Sequence, residues 1–329
     1  MSPFGFSTTA EEIVSTFDSR IQGRTFLITG TSASGLGAYV ATSLARGSPA
    51  HLILVARTKS KVDPVIAEIA AKHPSVQTTF VEADLSDLDS VRRAASQIND
   101  DDNGTRIPHI DVVINNAGVM AIPDYTLDKQ GHEMTLSSNH LGHFLLTNLL
   151  MPKILASGAG ARIVNVTSTG HRMSPFRFSD WNFSGGKTYD GWTAYGQSKT
   201  ANILFTVELA QRLKSRGVKS YAPHPGLIFE TSLASHLDVG GTDWEELTRV
   251  SERNNGRPTF FLDDDAPKTP AQGAAPLLAA ALDPAFDDKS GSYVADCQVR
   301  EPMEYARDPE AAARLWKLSE ELVGQEFKL

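Results

Sequence analysis

Short apolar, β-branched runs alternate along the chain with longer stretches whose apolar positions recur every three to four residues. Thr25–Thr29 is the first run, and a glycine-rich turn leads from it into a helix reaching about Arg46. His51–Ala56 with helical Pro64–Lys72, and Val76–Val81 with helical Asp87–Ile98, repeat the unit. Asp111–Ile114, a long helical stretch over about 131–156 and Arg162–Val166 follow. The runs LILVA, VVIN and RIVNV are apolar throughout, as expected of strands covered on both faces, hence of a parallel sheet. Strands alternating with helices predict a doubly wound α/β domain with right-handed crossovers over 1–329.

Three regions stand apart. Residues 169–193 gather Phe176, Phe178, Trp181, Phe183 and Trp192 among glycines and polar residues. Residues 232–270 are polar, carry Gly240-Gly241 and Asp263–Asp265, and show little regular pattern. Both read as substrate loops, with a plain surface excursion as the alternative. The segment 309–329 has the apolar spacing of an added amphipathic helix, which could cover a site, dock on its own domain or join subunits.

Bulk properties narrow the function classes. With 41% apolar and 21% charged residues in 329, the chain has the composition of a globular protein with a sizeable core. A net charge of −8 argues against a nucleic-acid surface. The single cysteine, Cys297, allows no intrachain disulfide. The N-terminus has no signal pattern, and no apolar run reaches the roughly 18 residues of a membrane span. The expectation is a cytoplasmic protein without a membrane partner. His132, His140, His143 and His171 offer no chelating pair with nearby Cys or carboxylate ligands, so no metal is expected.

The turn Thr29-Gly30-Thr31-Ser32-Ala33-Ser34-Gly35-Leu36-Gly37 follows a strand and opens a helix, the setting of the dinucleotide site in a Rossmann fold. Its glycines admit a pyrophosphate, and the helix start supplies free N–H groups. A carboxylate about 20 residues further on would hold a free ribose 2′-hydroxyl. Arg57 stands there instead, followed by Thr58 and Lys59. A guanidinium pairs with a 2′-phosphate, so NADP(H) is expected over NAD(H). A solvated strand-end arginine is the alternative.

Tyr195 and Lys199 are i and i+4 on one predicted helix face. An ammonium about 4 Å from a phenol, at an effective dielectric near 20, contributes about 4 kcal/mol, or roughly three pKa units. A shift of that size would make Tyr195 a working acid/base near neutral pH.

Together with Asp84-Leu85, Asn115-Asn116-Ala117-Gly118, Asn139-His140-Leu141-Gly142-His143-Phe144, Arg162–Ser168, His224-Pro225-Gly226 and Gly291–Cys297, these motifs run in order from about Gly23 to Gly324. In that set the chain resembles the short-chain dehydrogenase/reductase family, in its retinol-dehydrogenase-like branch. The resemblance implies that Tyr195 exchanges the proton with substrate oxygen. Lys199 lowers its pKa and holds the nicotinamide ribose, Ser168 hydrogen-bonds the reacting carbonyl, and Asn139 anchors a water relay to Lys199. It further implies that Asp84 and Leu85 meet the adenine and that Asn115 to Gly118 line the groove. Gly30, Ser34, Gly35, Leu36 and Gly37 would hold phosphate; Pro225, Gly226, Ile228 and Thr231 would border the nicotinamide. Ser168 as a turn cap, Asn139 as a partner of helix backbone and Asp84 as a helix cap are the plain alternatives.

The sequence departs from the family pattern twice. Four residues separate Gly30 from Gly35 and four separate Gly226 from Thr231, one more than usual in each case. The functional expectation is a ketone or aldehyde reductase of a bulky apolar or specialised metabolite. A catalytically silent NADP(H)-binding scaffold is the other reading, and related epimerisation or dehalogenation chemistry a third. The resemblance also implies a homodimer or homotetramer paired through the helices near 131–156 and 192–215.

Overall fold

The computed structural model describes residues 2–100, 106–231, 233, 242–256, 258 and 266–329. Eight strands form one sheet in the order β3-β2-β1-β4-β5-β6-β7-β8. They are β1 (Thr25–Thr29), β2 (His51–Ala56), β3 (Gln77–Glu82), β4 (Val112–Asn115), β5 (Arg162–Asn165), β6 (Lys219–His224), β7 (Tyr293–Ala295) and β8 (Gln298–Arg300). Every pair is parallel except β7–β8. The continuous apolar runs are explained by a split at every second residue. Phe26, Ile28, Leu52, Leu54, Val112 and Ile114 enter the core on one face; Leu27, Ile53, Val55 and Val113 enter the other.

The first face is covered by α1 (Ala10–Thr16), α2 (Leu36–Ala45), α3 (Asp63–Lys72) and α10 (Pro270–Leu282). The second carries α4 (Leu88–Asn99), the run from α5 (Met134–Leu136) through α6 (Gly142–Leu149) to α7 (Met151–Ala156), α8 (Gly191–Arg212) and α11 (Pro309–Val323). Asp87 caps α4 and Asp190 caps α8, each accepting backbone N–H bonds.

Several expectations change. The 131–156 stretch begins at Met134, contains a π-helical turn at Ser137–Leu141 and breaks at Leu150. The 232–270 stretch contains helix α9 (Thr242–Asn255), so it is not irregular there, while Gly240, Gly241 and Asp263–Asp265 lie outside the described residues. Helix α10 went unread because its AAPLLAAAL run has no polar face; Thr269 and Gln272 form a capping box at its start, which is the signal that marks it.

The tail helix docks on its own domain. Trp316, 2% exposed, packs against Phe144 and Phe205, and the Arg212 guanidinium lies 4.2 Å from its ring centroid. Ser319 reaches His140 at 2.7 Å. No described helix is long and apolar enough to cross a membrane.

Candidate active site

The C-terminal ends of β1, β2, β4, β5 and β6 open on a cavity of about 780 Å³. It lies where the strand order reverses between β1 and β4, the crevice in which open α/β sheets bind ligands.

At one end Gly30 turns the chain with φ +75°, and a Cβ there would meet Ala117 Cα at 2.9 Å. Gly35, with no side-chain cap, precedes the first turn of α2, and Gly35 and Leu36 stand on the wall. Gly37 does not: a Cβ there would strike the Gly30 carbonyl at 2.5 Å, so it serves close packing of helix on turn. The extra residue of the turn is absorbed by leaning outward, where Ala33 N–H donates to Lys61 O at 2.9 Å. Ser34 is exposed, and Ser32 lines the cavity in its place.

Arg57 and Thr58 border the same end, but Lys59 pairs with Asp63 and Lys61 takes the wall position. Asp84 and Leu85 follow. Asp84 is not the cap of α4; its Oδ1 accepts from Ser86 N–H at 3.0 Å and Ser86 O–H at 2.7 Å. Asn116, Ala117 and Gly118 line the middle. Asn115, expected beside them, is buried under the sheet and donates to Thr147 and Asn165 at 2.9 Å each.

The deep end holds Ser168, Tyr195 and Lys199, from just past the end of β5 and the first three turns of α8. Asp190 caps α8 through Thr193 N–H at 2.7 Å, and Thr167 O–H donates to Lys199 O at 2.8 Å, tying helix to strand end. Ser168 and Tyr195 both face the cavity, the Ser168 hydroxyl favouring an ionised phenol, and Ser168 Oγ also caps the turn by accepting Gly170 N–H at 3.0 Å. Lys199 Nζ lies 5.5 Å from the Tyr195 ring centroid and donates to Val166 O at 3.3 Å. Gly118 packs closely on Asn139: a Cβ there would stand 3.0 Å from Asn139 Oδ1, and at an ordinary contact distance of 3.6 Å from Lys199 Nζ.

Asn139 is off the wall. Its amide accepts from Val119 N–H at 2.8 Å and donates to Val119 O and Ser198 Oγ at 2.9 Å, which uses both of its N–H groups.

Burial governs the protonation of this end. It pushes the Tyr195 phenol up to about 12, with the Ser168 hydroxyl opposing, and the Lys199 ammonium down to about 8. Tyr195 is thus raised by desolvation, against the downward shift expected from helix spacing. His224, on the wall, is held well below its usual range by burial; its Nδ1 accepts Thr169 N–H at 3.3 Å.

Beyond Tyr195 the wall becomes apolar, with Met120, Ile122, Met173, Trp192, Leu233 and Leu247. Met120, Met173 and Leu247 carried no sequence signal, because the chain brings them together from three separate segments. Of the aromatic insert only Trp192 lines the cavity; Phe176, Phe178, Trp181 and Phe183 pack the insert down. Helix α9 closes this side, with Asn254 donating to Met173 O and Arg253 paired with Asp190. Pro225, Gly226, Ile228 and Thr231 complete the wall, and their longer loop is pinned by Lys268 N–H to Leu227 O at 2.8 Å.

Among the described residues no group of three His, Cys, Asp or Glu could hold a metal. His132, His140, His143 and His171 are buried, each in a defined hydrogen bond.

Comparison with known proteins places this geometry. Residues 24–239 match the family model described as short chain dehydrogenase. Human retinol dehydrogenase 11 is 37% identical over 305 residues, covering 93% of this chain and 87% of that protein. The crystal structure of an uncharacterised protein from Mycobacterium paratuberculosis has 33% identity and a TM-score of 0.68, covering 94% of this chain and 96% of that one. A structure from Beutenbergia cavernae with bound NADP at low occupancy has 27% identity and a TM-score of 0.62, covering 84% and 95%. The chain belongs to the short-chain dehydrogenase family, on its retinol-dehydrogenase-like side, and is an oxidoreductase of CH–OH and C=O groups.

Proposed function

We propose that the enzyme uses NADP(H) to reduce a ketone or aldehyde carried on a bulky apolar molecule. The observation that carries this reading is the meeting of Ser168, Tyr195 and Lys199 where the cavity turns from polar to apolar. Arg57, Thr58 and Lys61 at the far end suit a 2′-phosphate, with no carboxylate at the strand end to favour a free hydroxyl. Gly30, Gly35 and Leu36 would hold the pyrophosphate, and Asn116 to Gly118 with Pro225 to Thr231 the nicotinamide half. When bound, the reduced dinucleotide supplies the hydride.

The chain's own part is binding and proton placement. Ser168 and Tyr195 present two hydroxyls to one substrate oxygen, fixing the carbonyl and stabilising the charge that grows on it. Tyr195 O–H gives its proton to that oxygen. Lys199, with its proton affinity lowered by burial, stands beside the resulting phenolate as a nearby cation. Desolvation by Met173, Trp192 and Leu247 strengthens these interactions and suits an apolar substrate. Retinol dehydrogenase 11 is named for an alcohol of this apolar kind.

The test is binding of NADPH and NADH followed by fluorescence, then turnover on a panel of apolar aldehydes and ketones. Preferred NADPH, with turnover abolished in Tyr195→Phe, is the expected result. Equal turnover by Tyr195→Phe, or a preference for NADH, overturns the corresponding half of the proposal.

A further inference from the structure

His143, on α6, is 2% exposed and sits between two pieces of the site without touching the cavity. Its Nε2 lies 2.8 Å from Thr29 Oγ1 and its Nδ1 lies 3.1 Å from the main-chain carbonyl of Asn139. The direction of both bonds follows from the other partners of Thr29. Its Oγ1 accepts N–H bonds from Asn116 at 2.9 Å and Ala117 at 3.0 Å, which occupy both lone pairs. The Thr29 proton therefore points at Nε2, the imidazole carries its proton on Nδ1, and Nδ1–H donates to the Asn139 carbonyl.

The chain of bonds ends at two backbone N–H groups, which donate and take up no proton. It cannot conduct protons through Thr29; it can only hold parts in place. Those parts are the last residue of β1, the Asn116–Gly118 wall and the π-helical turn that bears Asn139. Asn139 in turn grips Val119 through both its N–H and its carbonyl, and bonds Ser198 of the helix that bears Lys199. A π-helical turn widens the backbone locally and sets where Asn139 points, so an anchor on its carbonyl has direct consequences.

We propose that His143, as a neutral Nδ1–H imidazole, is a positioning residue that registers the π-turn and the Gly118–Val119 wall against Lys199, and so shapes the nicotinamide half of the cavity. The proposal rests on the dinucleotide reading above. Burial and the Lys199 charge keep the imidazole neutral, its pKa pushed down to about 4. His143→Phe removes the acceptor for Thr29 and the donor for Asn139 while keeping a ring. His143→Gln restores an acceptor and a donor at similar spacing.

Three measurements on the full chain test this: the side-chain nitrogen spectrum of isotopically labelled histidine, and the affinities of NADPH and of adenosine 2′,5′-bisphosphate. The expected spectrum shows His143 protonated on Nδ1 and bare on Nε2. His143→Phe is expected to weaken NADPH about tenfold, as loss of the two imidazole hydrogen bonds loosens the π-turn and the Gly118–Val119 wall, while leaving the bisphosphate unchanged. His143→Gln is expected to recover most of the loss. An Nε2–H tautomer, equal weakening of both ligands, or no weakening overturns the assignment. Wild-type protein that binds the bisphosphate but no dinucleotide removes the cofactor reading itself, a result distinct from any of these. Should His143→Phe fail to fold, the tautomer and the Gln variant still decide.

Discussion

Lys199 Nζ lies 5.5 Å from the centroid of the Tyr195 ring, and burial moves the two groups toward their neutral forms, Tyr195 up to about 12 and Lys199 down to about 8. Protonation of this amine is linked to stability: between pH 8 and the usual lysine value of 10.5 the unfolded chain holds a proton that the folded one has released. Lys199 thus lowers stability below pH 8 and the loss is relieved as pH rises. Tyr195 has the opposite sign, and its contribution is lost above pH 10.

For catalysis we expect Tyr195→Phe to retain NADPH binding and lose turnover by a factor of about 10²–10⁴, the usual contribution of a positioned acid/base. Paired binding and single-turnover measurements read the two effects apart. Loss of binding together with turnover sinks the assigned role.

At the opposite end of the cavity Arg57→Glu is expected to weaken NADPH by about 100-fold and to leave NADH within a few-fold, since a bidentate charge-assisted contact becomes a repulsion. Titration with both nucleotides checks it. Equal losses would mean that Arg57 acts on the fold and not on the 2′-phosphate.

Acid should destabilise the protein early. Burial pushes His140 to about 3 and His143 and His171 to about 4, with His224 well below its usual range, whereas unfolded histidine titrates near 6.5. Below pH 6.5 the unfolded chain binds protons the folded chain refuses, so stability falls with falling pH. Each group contributes about 1.4 kcal/mol per pH unit over that window. A melting temperature that stays level from pH 7 to pH 5 contradicts this.

Trp316→Ala is expected to cost about 3–5 kcal/mol, from a buried aromatic flanked by Phe144, Phe205 and Arg212. The docked α11 also occupies the outer side of α6 and α8, the helices through which pairing was anticipated. We therefore expect no dimer across that face, with light scattering as the check; a dimer that dissociates on Trp316 substitution would reverse the inference.

Local chemistry made much of this molecule readable in advance. Strands β1, β2, β4 and β5 stood out because both-face burial leaves nearly unbroken apolar runs, and the half-exposed β3 because its β-branched run recurs in the same strand–helix rhythm. The glycine turn, Arg57, Tyr195 and Lys199 each sit in short segments whose spacing brings their chemistry to a strand end or one helix face, whereas Ser168 was legible only through the family resemblance. Helix α10 hid because a fully buried helix has no polar stripe, and α9 hid within a polar stretch without apolar rhythm.

What sequence could not decide depends on distant segments meeting. Ser32 and Lys61 replace Ser34 and Lys59 on the wall because the longer turn leans onto the segment after β2. The apolar wall joins Met120, Met173 and Leu247 from three segments, while Phe176 of the insert enters the core and Phe178 and Trp181 pack against it. Desolvation, which raises Tyr195 where helix spacing would lower it, is a property of the closed cavity. Local spacing determines which groups can act; the packing around them decides how much water they keep, and hence how they hold their protons.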